Sequence, residues 1–200
     1  MIKNVLFDVG GVLIGYRWQD MLRDYGQPEK DLPEIGDIIF GDPYWRRLDK
    51  GEVSLAETTK HFVETYPKYS QCLEYFFTHA ELMAVDRPRV WEKMKELKAK
   101  GYKIYLLSNY SDELFDIHVR TREFIDYPDG MVVSYEAHVC KPDPLIYQIM
   151  VDRYNLKKEE CIFFDDLIEN VTTAKEFGFS SVQITSEEVL LEEIEKLLNQ

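Results

Sequence analysis

The chain is short of cysteine: it has three, Cys72, Cys140 and Cys161. An odd number at wide spacing gives neither a disulfide framework nor a zinc-ligand pattern. Each reads as a buried neutral thiol, and their scarcity suits a reducing cytoplasm. The four histidines, His61, His79, His118 and His138, show no ligand spacing either. Basic residues are outnumbered, 24 against 37 acidic, for a net charge of −13. Nucleic acid and anionic membrane surfaces need a basic patch, so neither is an expected partner. A local cationic pocket for a small phosphorylated metabolite remains compatible with that charge. No apolar run approaches the roughly 18 residues of a transmembrane helix. The first residues lack a signal-peptide pattern, and a cytoplasmic protein is expected. Internal repeats and low-complexity stretches are also missing.

What is present is a soluble, globular composition, 45% hydrophobic and 30% charged over 200 residues. That length fits one domain, or one domain carrying a small insertion. Short apolar runs punctuate the chain: Val5-Leu6-Phe7, Lys103 to Leu107, Met131 to Ser134, Cys161 to Phe164, and Ser181 to Ile184. Helical patterns separate them. Val90, Met94 and Leu97 recur at helical spacing before Gly101, Ile146, Ile149 and Met150 form a stripe after Pro144, Glu169 to Phe177 stops at Gly178, and Ser186 opens an amphipathic segment to Leu198. Strands alternating with helices predict an α/β fold, a three-layer Rossmann-like parallel sheet. Residues 16–83 differ: they are rich in aromatics and show no strand pattern, and Ser54-Leu55-Ala56-Glu57 is a capping box. We read 16–83 as an inserted α-helical cap, with hinges near Gly15-Tyr16 and Val85–Pro88, and 1–15 with 84–200 as the core.

Asp8 closes the first apolar run, with Gly10-Gly11 right behind it. A carboxylate buried there costs several kcal/mol unless something compensates. Ligands of open α/β sheets bind just beyond the carboxyl ends of the strands. Three later strand ends also carry polar groups: Ser108-Asn109, Lys141-Pro142, and Asp165-Asp166 with Asn170. Each has an ordinary reading alone. Asp8 suits a loop turn, Ser108-Asn109 and Asp165-Asp166 suit helix caps, and Lys141 suits solvent.

Together, in this order, the four resemble the haloacid dehalogenase superfamily, in its capped phosphatase branch. The resemblance covers almost the whole chain: Asp8-Val9-Gly10, Leu106-Leu107-Ser108-Asn109, Lys141-Pro142 and Asp165-Asp166 followed by Asn170. It implies a phosphatase acting on a small phosphomonoester, a sugar phosphate at the family level, through an aspartyl-phosphate on Asp8. Mg²⁺ would be held by Asp8, the Gly10 carbonyl and Asp166, with Asp165 assisting. Lys141 would supply charge to the nucleophile and the phosphoryl group; Ser108 and the backbone at Gly11 or Asn109 would hold phosphoryl oxygens; Asn170 would orient Lys141 or a metal-bound water.

One position departs from the pattern. Most phosphatases of this family carry a second aspartate two residues after the first, as proton donor, and here that residue is Gly10. General acid–base help is worth about 10²–10⁴-fold, so a slow enzyme or a substitute donor is expected, with Asp20 a candidate. Two other readings stay open on the sequence: a non-catalytic metal- or phosphate-binding protein on the same fold, and a metal-free haloacid dehalogenase. Retention of Asp8, Lys141 and Asp166 together speaks against the first, and the Asp165-Asp166 pair against the second.

Overall fold

A computed structural model describes all 200 residues. Its frame is a five-stranded sheet built from β1 (Asn4–Phe7), β4 (Lys103–Ser108), β5 (Gly130–Val133), β6 (Cys161–Asp165) and β7 (Ser180–Gln183). The order is β5-β4-β1-β6-β7, and every neighbouring pair is parallel. β1, the first strand, is therefore central. Phe7 pairs with Leu106 on one side and Phe164 on the other. That register brings Asp8, Ser108 and Asp165 to one edge of the sheet.

The strands are apolar without alternation because both faces are covered. Val5 and Phe7 point to one face, where α6 (Pro88–Ala99) and α11 (Glu187–Leu198) bury Val90, Leu97 and Ile194. Leu6 points to the other, where α9 (Pro144–Tyr154) and α10 (Ile168–Phe177) bury Ile146, Met150 and Ala174. The short α7 (Asp112–His118) and α8 (Ser134–Ala137) follow β4 and β5. Ser186 caps α11 by accepting the Val189 N–H, and Gly178 ends α10 in the left-handed region, as their sequence positions predict.

Between β1 and β4 the chain makes a long helical excursion. It leaves through β2 (Ile14–Tyr16) and returns through β3 (Ala84–Asp86), which pair antiparallel, Tyr16 against Ala84. Five helices lie between: α1 (Trp18–Tyr25), α2 (Leu32–Gly41), α3 (Pro43–Asp49), α4 (Leu55–Thr65) and α5 (Ser70–Thr78). Both halves of the Ser54/Glu57 capping box are made at the start of α4. A separate apolar cluster, including Leu22, Ile35, Phe62, Leu73 and Phe76, lies wholly inside this stretch. The β2–β3 ribbon was not legible in the sequence, because three-residue strands are too short to show a period of two. All three cysteines are free and buried. No helix is long and apolar enough to cross a membrane.

Candidate active site

Asp8 sits one residue past β1 and is buried. Its Oδ1 accepts the Val9 N–H at 2.7 Å and the Ser108 hydroxyl at 2.6 Å. Its Oδ2 faces the Lys141 ammonium at 2.9 Å. Lys141 is 1% exposed and lies between two carboxylates, with Asp165 Oδ2 at 2.6 Å on its other side. Two carboxylates from separate strand ends therefore flank a single ammonium from a loop, and Ser108 from a third strand end orients one of them.

The remaining predicted residues act mainly on one another. Asn109 donates from Nδ2 to the Lys141 carbonyl and accepts the Lys141 N–H at Oδ1. Asn170 donates from Nδ2 to both oxygens of Asp165. Asp165 Oδ1 also accepts the Leu167 N–H at 2.8 Å. Its carboxylate is thus committed to Lys141, Asn170 and the backbone, so Asp165 is placed as the seat of the lysine. Asn170 reaches Lys141 only through Asp165. Ser108, expected to hold phosphoryl oxygens, here gives its hydroxyl to the nucleophile candidate.

The charge does not balance. Carboxylate oxygens of Asp8, Asp165 and Asp166 lie within 4.8 Å of one another, with one ammonium among them. Burial pushes the Asp8 carboxyl up, and Asp165 and Asp166 add to the effect, while Lys141 pulls it down. Asp166 is pushed up to about 6 by burial and by Asp165. Lys141 is held above its ordinary value by its two carboxylate partners, against the burial that lowers it. Such a site asks for a further cation. Hard divalent ions take oxygen donors, and the residues fit one. Asp8 and Asp166 offer carboxylates. The loop also leaves a carbonyl: Val9 accepts the N–H groups of Val12, Leu13 and Ile14, and Arg87 takes the carbonyls of Gly11 and Val12. No side chain or loop amide is bonded to the carbonyl of Gly10.

Gly11 is required by its backbone, and Gly10 is crowded by a side chain. Gly11 has φ +72°, and a Cβ there would lie 2.4 Å from Asp166 Oδ2. A Cβ on Gly10 would lie 2.6 Å from the Tyr16 ring and hydroxyl. The aromatic ring fills the space where a side chain at position 10 would stand. The Tyr16 hydroxyl donates to Tyr110, whose hydroxyl meets His118 Nδ1 at 3.0 Å, and His118 Nε2 donates to the Ala80 carbonyl at 2.7 Å. Sequence reasoning missed this chain, and it missed Arg87, because each depends on contacts between distant segments. Asp20 is not a substitute donor: it points to solvent, 58% exposed, and pairs with Arg23 at 2.5 Å. Its neighbours Met21 and Leu22 take the buried face of α1, which turns Asp20 outward.

Above these groups lies a cavity of about 370 Å³. Asp8, Lys141, Asp166 and Asn170 form its floor. Trp18, Phe40, Trp45 and Met83 from the helical excursion wall it, with Arg46 and Asp49 from α3.

Residues 2–178 match the haloacid dehalogenase-like hydrolase family. The chain belongs to this family. A D-ribitol-5-phosphate phosphatase of Bacteroides thetaiotaomicron is 26% identical over 198 residues, covering 92% of each chain. Acyl-CoA dehydrogenase family member 10 of Mus musculus is 30% identical over 217 residues; that match takes in 98% of this chain, which spans only 19% of that longer protein. A family enzyme from Bacteroides thetaiotaomicron, solved with magnesium and inorganic phosphate, superposes with a TM-score of 0.70. It is 25% identical, and the alignment covers 92% of this chain and 94% of that one. The haloacid dehalogenase-like hydrolase described here thus shares its fold with a magnesium- and phosphate-bound relative.

Proposed function

We propose that the chain is a Mg²⁺-dependent phosphatase of small phosphomonoesters that works through an aspartyl-phosphate on Asp8. The observation that carries this reading is the placement of Asp8: a buried carboxylate oriented by Ser108, paired with Lys141, and opening onto a cavity. Phosphate-monoester hydrolysis is among the slowest uncatalysed reactions, and a carboxylate nucleophile divides it into two transfers. The phosphatase relative and the magnesium- and phosphate-bound relative support the same reading.

In this reading Asp8 Oδ attacks phosphorus while the Val9 N–H and Ser108 hydroxyl fix the other carboxylate oxygen. Lys141 offsets the charge that builds as two anions approach, and Asp165 with Asn170 keeps its ammonium aimed. Backbone N–H groups at Gly11 and Asn109 hold phosphoryl oxygens. Mg²⁺, held by Asp8, Asp166 and the Gly10 carbonyl, would supply positive charge to the phosphoryl oxygens. Residues 16–83 act as the cap, and their cavity wall selects the group that leaves. The dehalogenase reading gains nothing here, since a reaction without metal has no use for the Asp166 carboxylate.

Hydrolysis of 4-nitrophenyl phosphate tests the proposal. We expect turnover with Mg²⁺, none with EDTA, and loss of at least about 10³-fold in Asp8→Asn, the scale at which a removed nucleophile is felt. Equal rates in wild type and Asp8→Asn would overturn the assignment.

A further inference from the structure

The floor of the cavity holds a nucleophile but no spare proton. Asp8 and Asp166 are the carboxylates offered to a cation, Asp165 is saturated, and Gly10 has no side chain with Tyr16 filling its place. Two other carboxyls line the cavity, Glu169 and Asp49, and Glu169 is on the exposed face of α10. Asp49 is different. It is the last residue of α3, and no hydrogen bond or ion pair reaches its carboxylate.

The backbone around Asp49 is fastened to the sheet. Leu48 is fully buried in the cluster that also holds Phe7, Leu106 and Phe164. The Asp49 carbonyl accepts the hydroxyl of buried Ser134 at 2.5 Å, and Ser134 Oγ in turn accepts the Tyr110 N–H at 2.9 Å. His138 Nδ1 donates to the Lys50 carbonyl at 2.9 Å. Next along, Gly51 has φ +68° and lies so close to the Tyr135 carbonyl that a Cβ would be 3.1 Å from it. A residue otherwise belonging to the helical excursion is therefore held at a fixed place over the strand ends, its side chain free.

We propose that Asp49 is the general acid and base of this site, doing the work a side chain at position 10 would do; this rests on the phosphatase reading above. In the first transfer a bond forms between Asp8 Oδ and phosphorus as the bond from phosphorus to the leaving oxygen breaks. The proton on Asp49 passes to that oxygen. In the second transfer the Asp49 carboxylate takes a proton from a water whose oxygen bonds to phosphorus. The bond from phosphorus to Asp8 breaks, and Asp49 is again protonated. The sum is one ester and one water giving an alcohol and phosphate.

The surroundings suit both states. Burial pushes the Asp49 carboxyl up to about 7, against the pull of Lys141 and Arg46. The titratable groups facing it are Lys141 from the loop after α8, Arg46 on its own helix, the hydroxyls of Tyr16 and Tyr110, and the Cys140 thiol. An acid poised near the working pH serves best in both directions.

Phenyl and 4-nitrophenyl phosphate test this, because the two fill nearly the same space and differ in how much their leaving oxygen needs a proton. With Mg²⁺, Asp49→Asn should lose about 10²-fold or more in kcat on phenyl phosphate and less than about tenfold on the nitrophenyl ester. Asp49→Glu should recover much of the phenyl phosphate rate. In the wild type, kcat on phenyl phosphate should fall above pH about 7, with a much shallower fall on the nitrophenyl ester; this measurement needs no variant. Equal losses on the two esters in Asp49→Asn, or none, would overturn the role of Asp49 while leaving Asp8 standing. A wild type inert toward both esters with Mg²⁺ would overturn the phosphatase reading, and the role of Asp49 with it.

Discussion

Asn109 grips the backbone of Lys141 on both sides. Its Nδ2 donates to the Lys141 carbonyl at 3.0 Å and its Oδ1 accepts the Lys141 N–H at 2.8 Å. The residue after β4 thereby sets the height of a lysine 32 positions later. Asn109→Ala leaves both peptide groups without partners in a half-buried place. We expect a stability loss of about 1–3 kcal/mol by urea unfolding. We also expect at least about a tenfold fall in kcat on 4-nitrophenyl phosphate, because a lysine displaced by an ångström no longer bridges two carboxylates.

Gly10 and Tyr16 should prove coupled. Gly10→Asp places a Cβ 2.6 Å from the Tyr16 ring, so the single variant should lose about 1–3 kcal/mol through overpacking. Tyr16→Ala opens the space. The double variant should be less destabilised than the sum of the single ones, by at least about 0.5 kcal/mol in a double-mutant cycle from thermal unfolding. Simple additivity would mean that the ring moves aside without cost.

The cation should stabilise the fold more as pH rises. Asp8 and Asp166 are both held above the ordinary aspartate value of about 3.9, chiefly by burial. The folded state therefore keeps protons that the unfolded chain has released. Stability without metal falls as pH rises from about 4 through the raised values, about 6 for Asp166 and higher for Asp8. Mg²⁺ replaces those protons, so its effect on Tm, measured against EDTA, should be larger at pH 8 than at pH 5. A Tm shift that shrinks with pH would contradict the cation site.

His118 gives the opposite sign. It is fully buried, and burial holds its imidazole below the ordinary value of about 6.5. The native ring stays neutral while the unfolded one takes up a proton. Stability from this group is present above pH about 6.5 and is lost as pH falls, by up to about 1.4 kcal/mol per unit. His118→Phe removes the titration. The stability gap between wild type and variant should narrow from pH 7.5 to pH 5.5 in urea unfolding; a constant gap would show that the ring does not titrate on unfolding.

Much of the candidate site was legible in the sequence because polar groups gather where apolar runs stop. Asp8, Ser108 and Asp165 each end a β-rich stretch, and a parallel sheet brings such ends to one edge. Lys141, read above with the strand ends, lies instead in the loop after α8, and only its family-like pairing with Pro142 marked it. Arg87, Tyr110 and His118 were invisible, since their partners are Gly11, Tyr16 and Ala80, far away in the chain. Asp20 was misjudged where a helical reading would have helped, because Met21 and Leu22 already claim the inner face of α1. Asp49 looks like the end of a surface helix running into Lys50-Gly51, and only the burial of Leu48 beside it hints otherwise.

The pairing of Tyr16 with Ala84 has an evolutionary side. Whatever lies between these residues has only to start and finish one strand spacing apart, about 4.8 Å. Helices can be lengthened, trimmed or exchanged there without shifting the register of β1 against β4. On the proposed function, specificity can drift in that stretch while Asp8 stays still. On the assignment made above, the freedom has one limit: Asp49 lies within the exchangeable stretch, so a replacement that brings no acid of its own leaves the enzyme able to begin its reaction on activated esters alone.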